Sequence, residues 1–451
     1  MRAVGWLAAA VLGLAGLAGL GEAALRLAGF GHPILYDNRA AYGYRPLPDQ
    51  TRRRFGGARV HVNNLGLRGA DVTPERPPGA LRILFLGDSV TWGGSYVDDA
   101  QLFATIAADT VRRRHPGRFT AVEALDAGVN GWGAENIAGL VGAEGEFPDA
   151  FGSDVWVLTI LDDDFRRERT HVGEVPYFNV SPATAWEELL VLGAYRIVTT
   201  YKRPKPAADF ERIGREDLEV YRALVAHARA RGALVLFVWH PDRAAVGGAE
   251  EVWKGRLAAM AADADVPLLD LLPAYRHAGG AAIYVDGLHL GVAGHAVAGR
   301  AIGEWLEQVV GELGPHCIYP RARSSRSRFG RAGSSPAPSG TGWCAAIHAS
   351  RWRSMVRRAH RAAAVAGETG REQRRDDGPQ APVQLWHELE GDAHCTYPSA
   401  RRRSRMSRSR ISPTGAGGAV ARQRASRFAS AAPSGAAPKR SSRSAGSCTR
   451  S

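Results

Sequence analysis

A serine, a histidine and a carboxylate stand in this chain where each could serve the others. Ser89 lies in the stretch Arg82 to Gly93, RILFLGDSVTWG, and Asp286-Gly287-Leu288-His289 follows about 200 residues later. A serine hydroxyl is a poor nucleophile until a neighbouring imidazole takes its proton, and His289 is the candidate base. Asp286 precedes it by three residues, a spacing that puts both side chains on one side of a turn. The carboxylate can then hold the ring tautomer and stabilise the imidazolium. That chemistry is acyl transfer from an ester to water through an acyl-serine, with no metal or organic cofactor. The motif Gly-x-Ser-x-Gly of another hydrolase class is absent, because Val90 is followed by Thr91.

Such residues act only if a scaffold brings them together. The short apolar run that stops at Gly87-Asp88-Ser89 reads as a buried parallel strand feeding a tight turn, with Ser89 at the carboxyl edge of a sheet. Open α/β sheets keep their active sites at that edge. Further apolar, β-branched runs at Ala121 to Leu125, Val155 to Leu161, Leu234 to Trp239 and Val266 to Leu269 join Leu81 to Leu86. They alternate with helical stretches over Gln101 to Arg114, Glu216 to Arg231, Ala249 to Asp263 and Ala293 to Val310. This rhythm predicts a five-stranded parallel sheet with helices on both faces, an α/β fold. Residues 171–215, with aromatics and several prolines, interrupt it and read as an insertion near the active-site edge. Residues 31–80 hold Pro, Gly, Asn and Arg without sustained periodicity and read as an extended juxtamembrane segment.

The membrane enters through Ala3 to Gly21, a 19-residue uncharged run of mostly Ala, Leu, Gly and Val preceded by Arg2. At about 1.5 Å per residue it nearly spans the roughly 30 Å hydrocarbon core of a bilayer. A cleaved signal peptide is the alternative, but the run is longer than a usual apolar core and no Ala-x-Ala site follows before Glu22. We read residues 1–30 as an uncleaved single-pass anchor with Arg2 on the cytoplasmic side and the body outside.

Charge divides the 451 residues unevenly. From His316 on, 26 Lys and Arg stand against 7 Asp and Glu, leaving 32 against 38 before it. All four cysteines (Cys317, Cys344, Cys395, Cys448) also lie in this tail, so the body has no disulfide and gives no redox signal. Residues 314–451, rich in Arg, Ser, Ala, Gly and Pro, cannot bury a core and are expected to be disordered. An octapeptide at His316 to Arg323 recurs in altered form at His394 to Arg401, each copy preceding Arg/Ser runs. A polybasic tail would bind anionic lipid or acidic polysaccharide, with nucleic acid the less favoured partner. The reading we favour for so abrupt a change of composition is an out-of-frame translation of a GC-rich gene end, which native tail peptides in a mass spectrum would remove.

Over roughly Leu81 to Leu313 the chain resembles the GDSL, or SGNH, hydrolase family. Gly87-Asp88-Ser89 matches its first block, Asp126-Ala127-Gly128-Val129-Asn130-Gly131 its second, and Asp286-Gly287-Leu288-His289 with Gly294-His295 its last. Val62-Asn63-Asn64-Leu65-Gly66-Leu67-Arg68-Gly69 is similar to a lead-in of the family's membrane-anchored bacterial members. The resemblance implies a flavodoxin-like three-layer α/β/α sandwich for residues 81–313, with Ser89 as nucleophile and Gly131 at the oxyanion-hole position beside the Ser89 backbone. The third block departs: the family's Asn-Asp is replaced by Leu161-Asp162-Asp163-Asp164-Phe165, and alignment on Phe165-Arg166 puts Asp162 in the asparagine's place. An ionised carboxylate accepts hydrogen bonds where a donor is wanted, and losing one such donor costs about 10²- to 10³-fold in rate. A protonated Asp162 could still donate.

Other residues have plainer readings. His295 packs locally, His240 either lines a pocket or is a satisfied histidine, Gly128 and Gly133 are turn glycines, and Arg166 and Arg167 neutralise the three aspartates. Scattered histidines and distant cysteines offer no metal site. The expectation is a hydrolase in the cell's inner membrane, facing the periplasm or exterior, acting on O-acylated, chiefly O-acetylated, glycans or small esters; that substrate class comes from the resemblance. The alternatives are an O-acyltransferase of envelope polysaccharide using Ser89, and a silent glycan-binding or scaffold protein disabled by Asp162.

Overall fold

In the computed structural model of this chain, residues 2–39, 41–170, 177–200 and 207–312 are described. All lie in the first of two units, Met1–Tyr397; the second, Pro398–Ser451, and with it the whole expected tail 314–451, lie outside the described residues. The Ala- and Leu-rich amino terminus forms helix α1 (Arg2–Leu27), as the strong helix propensity of those residues favours. Its apolar side chains, Leu7, Leu12, Leu17 and Leu20 among them, are exposed, and Ala3–Leu27 is long and apolar enough to cross a membrane.

Residues 31–80, expected as an extended segment, instead carry two antiparallel hairpins, β1 (Tyr36–Arg39) with β2 (Gly43–Pro46) and β3 (Gln50–Arg53) with β4 (Arg59–Val62). The signal is weak in the sequence because each strand is only four residues long, too short for the alternation of β3 and β4 to stand out, and β1 does not alternate at all. Tyr42, Tyr44, Val60 and Val62 nonetheless join the main core.

The α/β body follows in chain order. Strand β5 (Leu81–Gly87) leads into the one-turn helix α2 (Ser89–Trp92), then α3 (Phe103–Arg114), β6 (Val122–Gly128), α4 (Ala134–Val141) and β7 (Val155–Ile160). Next come α5 (Ala185–Thr200), α6 (Ala207–Ala230), β8 (Leu234–Trp239), α7 (Arg243–Val246), α8 (Lys254–Asp263), β9 (Leu268–Asp270), α9 (Leu272–His277) and α10 (Val292–Glu312). The sheet runs in the order β6-β5-β7-β8-β9, all parallel. This is the doubly wound flavodoxin-like order.

All seven residues of β5 are buried. Leu81, Ile83 and Phe85 pack under α3 and α10, whereas Leu84 and Leu86 face the layer built from α4, α6 and α8. Period-two alternation thus serves two cores, and each large apolar side chain so buried contributes about 1.5–3 kcal/mol. Helix α6 begins nine residues before the expected Glu216, directly after Pro206. Its first turns bury Ile213 and half-bury Phe210, but this short stripe stands among polar residues laced by Arg212 to Glu168 and Glu216 and by Arg256 to Glu211, which mask it in the sequence. Helix α5 falls inside the expected 171–215 insertion, of which 171–176 and 201–206 lie outside the described residues.

Strand β6 carries a buried acid two residues before its end. Asp126 Oδ1 accepts the Gly128 N–H at 2.9 Å, while Oδ2 is buried without a partner. Burial raises its pKa to about 8, against the opposing pull of the Gly128 N–H and Arg68. The folded protein therefore holds a proton that the unfolded chain releases above about pH 4, so this group costs stability as pH rises from there to about 8. Asp126→Asn removes that dependence: in urea unfolding of the detergent-solubilised chain, the variant's advantage over the parent should grow by about 1.4 kcal/mol per pH unit across this window. An advantage independent of pH would show that Asp126 is ionised in the fold.

Candidate active site

Strands β5 and β6 are paired so that Gly87 stands opposite Gly128, and their continuations carry Ser89 and Gly131 from the same sheet edge. The turn at Ser89 is local chemistry: Asp88 caps α2 by accepting the Val90 N–H on Oδ1 at 2.8 Å, and the helix stops after one turn at Gly93, whose φ of 84° favours glycine. Gly128 is held to glycine by contact, since a Cβ there would stand 2.3 Å from the Trp92 nitrogen.

From the other end of the chain, residues 284–290 close a tight turn. Val285 N–H donates to His289 O at 2.9 Å, and Asp286 Oδ1 accepts the backbone N–H groups of Leu288 and His289 at 2.7 and 2.6 Å. Asp286 Oδ2 lies 2.7 Å from His289 Nδ1, and His289 Nε2 lies 2.7 Å from Ser89 Oγ. Burial alone would raise the Asp286 pKa, but the hydrogen bond and charge of His289, with the two backbone donors, outweigh it and hold the carboxyl at about 2. The ionised acid accepts Nδ1–H, which leaves Nε2 to accept the Ser89 hydroxyl proton. Ser89 and His289 are both buried, at 7 % and 3 % exposed.

This turn is braced by His240 at the end of β8. His240 donates Nε2–H to Leu288 O at 3.0 Å and accepts from the Tyr275 hydroxyl on Nδ1 at 3.0 Å. Burial lowers its pKa to about 4. Of the two readings of His240, the satisfied histidine is the one its bonds describe. His295 also has a structural place, stacked on Phe103 and accepting its N–H on Nδ1 at 3.2 Å.

The loop carrying Gly131 leans on β2. The Tyr44 hydroxyl donates to Asn130 O at 2.5 Å, the Trp132 indole donates to Tyr44 O at 2.9 Å, and Thr170 Oγ1 donates to Gly131 O at 3.0 Å. Gly131 itself has a φ of 75°. The segment Val62 to Gly69 supports the site through Arg68, which is fully buried. Its guanidinium donates to Trp92 O and Gly94 O at 2.5 and 2.7 Å, to Val97 O, and to Asp99 at 2.9 Å. It thereby clamps the loop that follows Ser89.

At the third block, Asp162 accepts at both oxygens, from Trp253 N–H at 2.8 Å and from Arg166 at 3.1 Å. Burial raises its pKa against the pull of those partners. Arg167 does more than neutralise neighbouring acids. It bonds Asp163 at 2.7 Å and Asp164 at 3.1 Å, and its Nη1 also reaches Asp88 Oδ2 at 2.8 Å and Trp132 O at 3.1 Å. One guanidinium thus joins the turn before Ser89, the loop after Gly131 and the Asp162–Arg166 segment. Burial and the negative Asp88 push Asp164 well up. The link to Asp88 spans 79 positions and has no local signature in the sequence. Among the described residues, no group of three or more His, Cys, Asp or Glu could hold a metal ion.

No family model and no curated protein matches this chain. Among solved structures it is similar to a two-domain esterase active on acetylated mannans (15 % identity, TM-score 0.32), covering 58 % of this chain and 54 % of that one, so it spans about half that protein's length. It is also similar to the acetyl xylan esterase AlAXEase (15 %, 0.32; 50 % of this chain and 100 % of that one) and to TesA (14 %, 0.32; 51 % and 99 %).

The Arg167 junction can be tested without a substrate. A lysine keeps the charge but cannot span Asp88, Trp132 O and Asp163 together. Arg167→Lys should fold, yet a fluorophosphonate probe should label Ser89 about 10²-fold more slowly, the scale of loss that a small misplacement of reacting groups produces. An unchanged labelling rate would show that the junction does not set the Ser89 geometry.

Proposed function

We propose that this chain is a serine-dependent ester hydrolase, and the observation that carries the reading is the pair of 2.7 Å contacts from His289 to Ser89 Oγ and Asp286. Ser89 Oγ attacks the ester carbonyl as its proton passes to His289 Nε2, and Asp286 stabilises the resulting imidazolium. His289 returns the proton to the departing alcohol, leaving an acyl-serine, and water activated by the same imidazole releases the acid. The backbone N–H groups of Ser89 and Gly131 are the oxyanion donors in this reading. O-acyl, chiefly O-acetyl, esters of glycans or small molecules are the proposed substrates, as the family resemblance implies.

We read α1 as a retained membrane anchor with the α/β body outside the inner membrane. Retention is supported by Glu22, whose carboxylate accepts the N–H groups of Ala185 and Trp186 at 2.9 and 3.2 Å, a cap that cleavage beyond this residue would remove.

A second reading, an impaired site used for binding, is favoured by one observation: Asp162 accepts at both oxygens where the family's asparagine would donate. Two variants of the full chain in detergent separate the readings with p-nitrophenyl acetate. Ser89→Ala should lower turnover by about 10³-fold or more. Asp162→Asn should raise kcat by about 10-fold or more, because an amide can donate where a carboxylate repels the oxyanion. Turnover that survives Ser89→Ala would sink the hydrolase reading, and a fall in kcat for Asp162→Asn would assign the carboxylate an adapted role.

A further inference from the structure

The strongest unassigned surface lies on α5, the helix that the 171–215 segment adds beside the anchor. Its two faces differ sharply. Ala185 and Leu189 pack with Phe30 and Phe55, and Glu188 between them is fully buried, paired with Arg54 at 2.8 Å and accepting the Gly31 N–H. Arg54 in turn donates to Gly29 O at 2.6 Å. This inner face therefore grips the segment just beyond α1. On the outer face Trp186, Leu190 and Val191 are 39 %, 65 % and 36 % exposed, and Glu187 among them has its carboxylate taken by the Tyr177 hydroxyl at 2.8 Å and the Ala183 N–H at 2.7 Å. The spacing of four between Trp186 and Leu190 puts them on one side of the helix, away from Glu188.

The direction of that outer face is set by α1. The Trp186 indole donates to Ala18 O at 3.1 Å, and its ring lies against Gly21, where a Cβ would stand 2.4 Å from it. Trp186 thus sits at the level of residues 18–22, where the uncharged run ends, whereas Glu188 reaches residue 31 and the body. Leu190, one turn on from Trp186, is on the same side of α5 and is 65 % exposed. Tryptophan at the end of a membrane span and an exposed apolar face on the adjoining helix are features of a segment lying in the headgroup and acyl boundary of a bilayer.

We propose that α5 is a second membrane contact, seated through Trp186, Leu190 and Val191 in the outer leaflet beside the anchor, so that the body is held at a fixed tilt to the lipid surface. The proposal rests on the anchor reading of α1, and its occupant is lipid. The buried Arg54–Glu188 pair and the Glu22 cap make α1, α5 and the β3–β4 hairpin one stiff joint, in which a truncated partner would leave a buried charge unpaired.

The test uses the full chain with its four cysteines changed to serine, reconstituted in phosphatidylcholine and phosphatidylglycerol liposomes. A bimane label is placed in turn through Leu190→Cys, Leu12→Cys on α1, and Val252→Cys on the body, where Val252 is 52 % exposed. Lipids bearing a doxyl quencher, near the headgroup end of the acyl chain for the label at 190 and near its methyl end for the mid-span label at 12, should quench each label by about twofold or more and leave the label at 252 unchanged. Quenching at 12 with a label at 190 that behaves like the one at 252 would overturn the seat and leave the anchor standing. A label at 12 that is not quenched would overturn the anchor reading, and the seat with it.

Discussion

The hydrogen bond from Ser89 to His289 joins groups 200 positions apart, and it forms only if two short turns from different parts of the chain stand within tenths of an ångström of their places. Neither turn could do this alone. One is fixed by the end of β5, buried on both faces, and by the Asp88 cap; the other by Asp286 taking two backbone donors and by His240 holding Leu288 O. Most of what surrounds the sheet edge can be understood as restraint on these two turns. The helices on both faces make the strands immobile, and side chains then tie the loops to the strand ends.

Arginine does much of that tying. Arg54, Arg68, Arg82 and Arg167 are all buried, which would be costly for an unpaired guanidinium. Each is compensated by a carboxylate and by loop carbonyls: Arg82, for example, bonds Glu123 at 2.7 Å and the carbonyls of Thr73, Pro74 and Phe151. The planar fork with five donors suits this use, because a single side chain can fix several irregular backbone segments that have no ladder of their own. The irregular parts of the molecule are thus organised by buried charge, while apolar alternation organises the regular parts.

That division also explains what could be read from residues alone. The strands were legible because runs such as Leu234–Trp239 are apolar and rich in β-branched and aromatic residues, and their predicted bounds fall within about three residues of the observed ones. Ser89, Asp286 and His289 could be singled out by residue type and spacing, and the structure brings the three side chains into contact. The hairpins of residues 36–62 were not legible, since strands of four residues are too short for an alternating pattern to stand out from the surrounding loops. The bond between Arg167 and Asp88, the brace of His240 and Tyr275, and the support of Gly131 by Tyr44 and Trp132 are long-range, and no local pattern announces them. Asp162 was legible as a departure, but its bonds to Trp253 and Arg166 were not.

The two histidines packed around the turn have an electrostatic consequence. Burial lowers His240 to about 4 and His295 to about 3, so near neutral pH both are uncharged rings. A proton that reaches His289 from Ser89 therefore creates the first imidazolium in this neighbourhood, with the Asp286 carboxylate beside it and no like charge on either ring to oppose it. Desolvating those two rings makes room for a transient positive charge on the third.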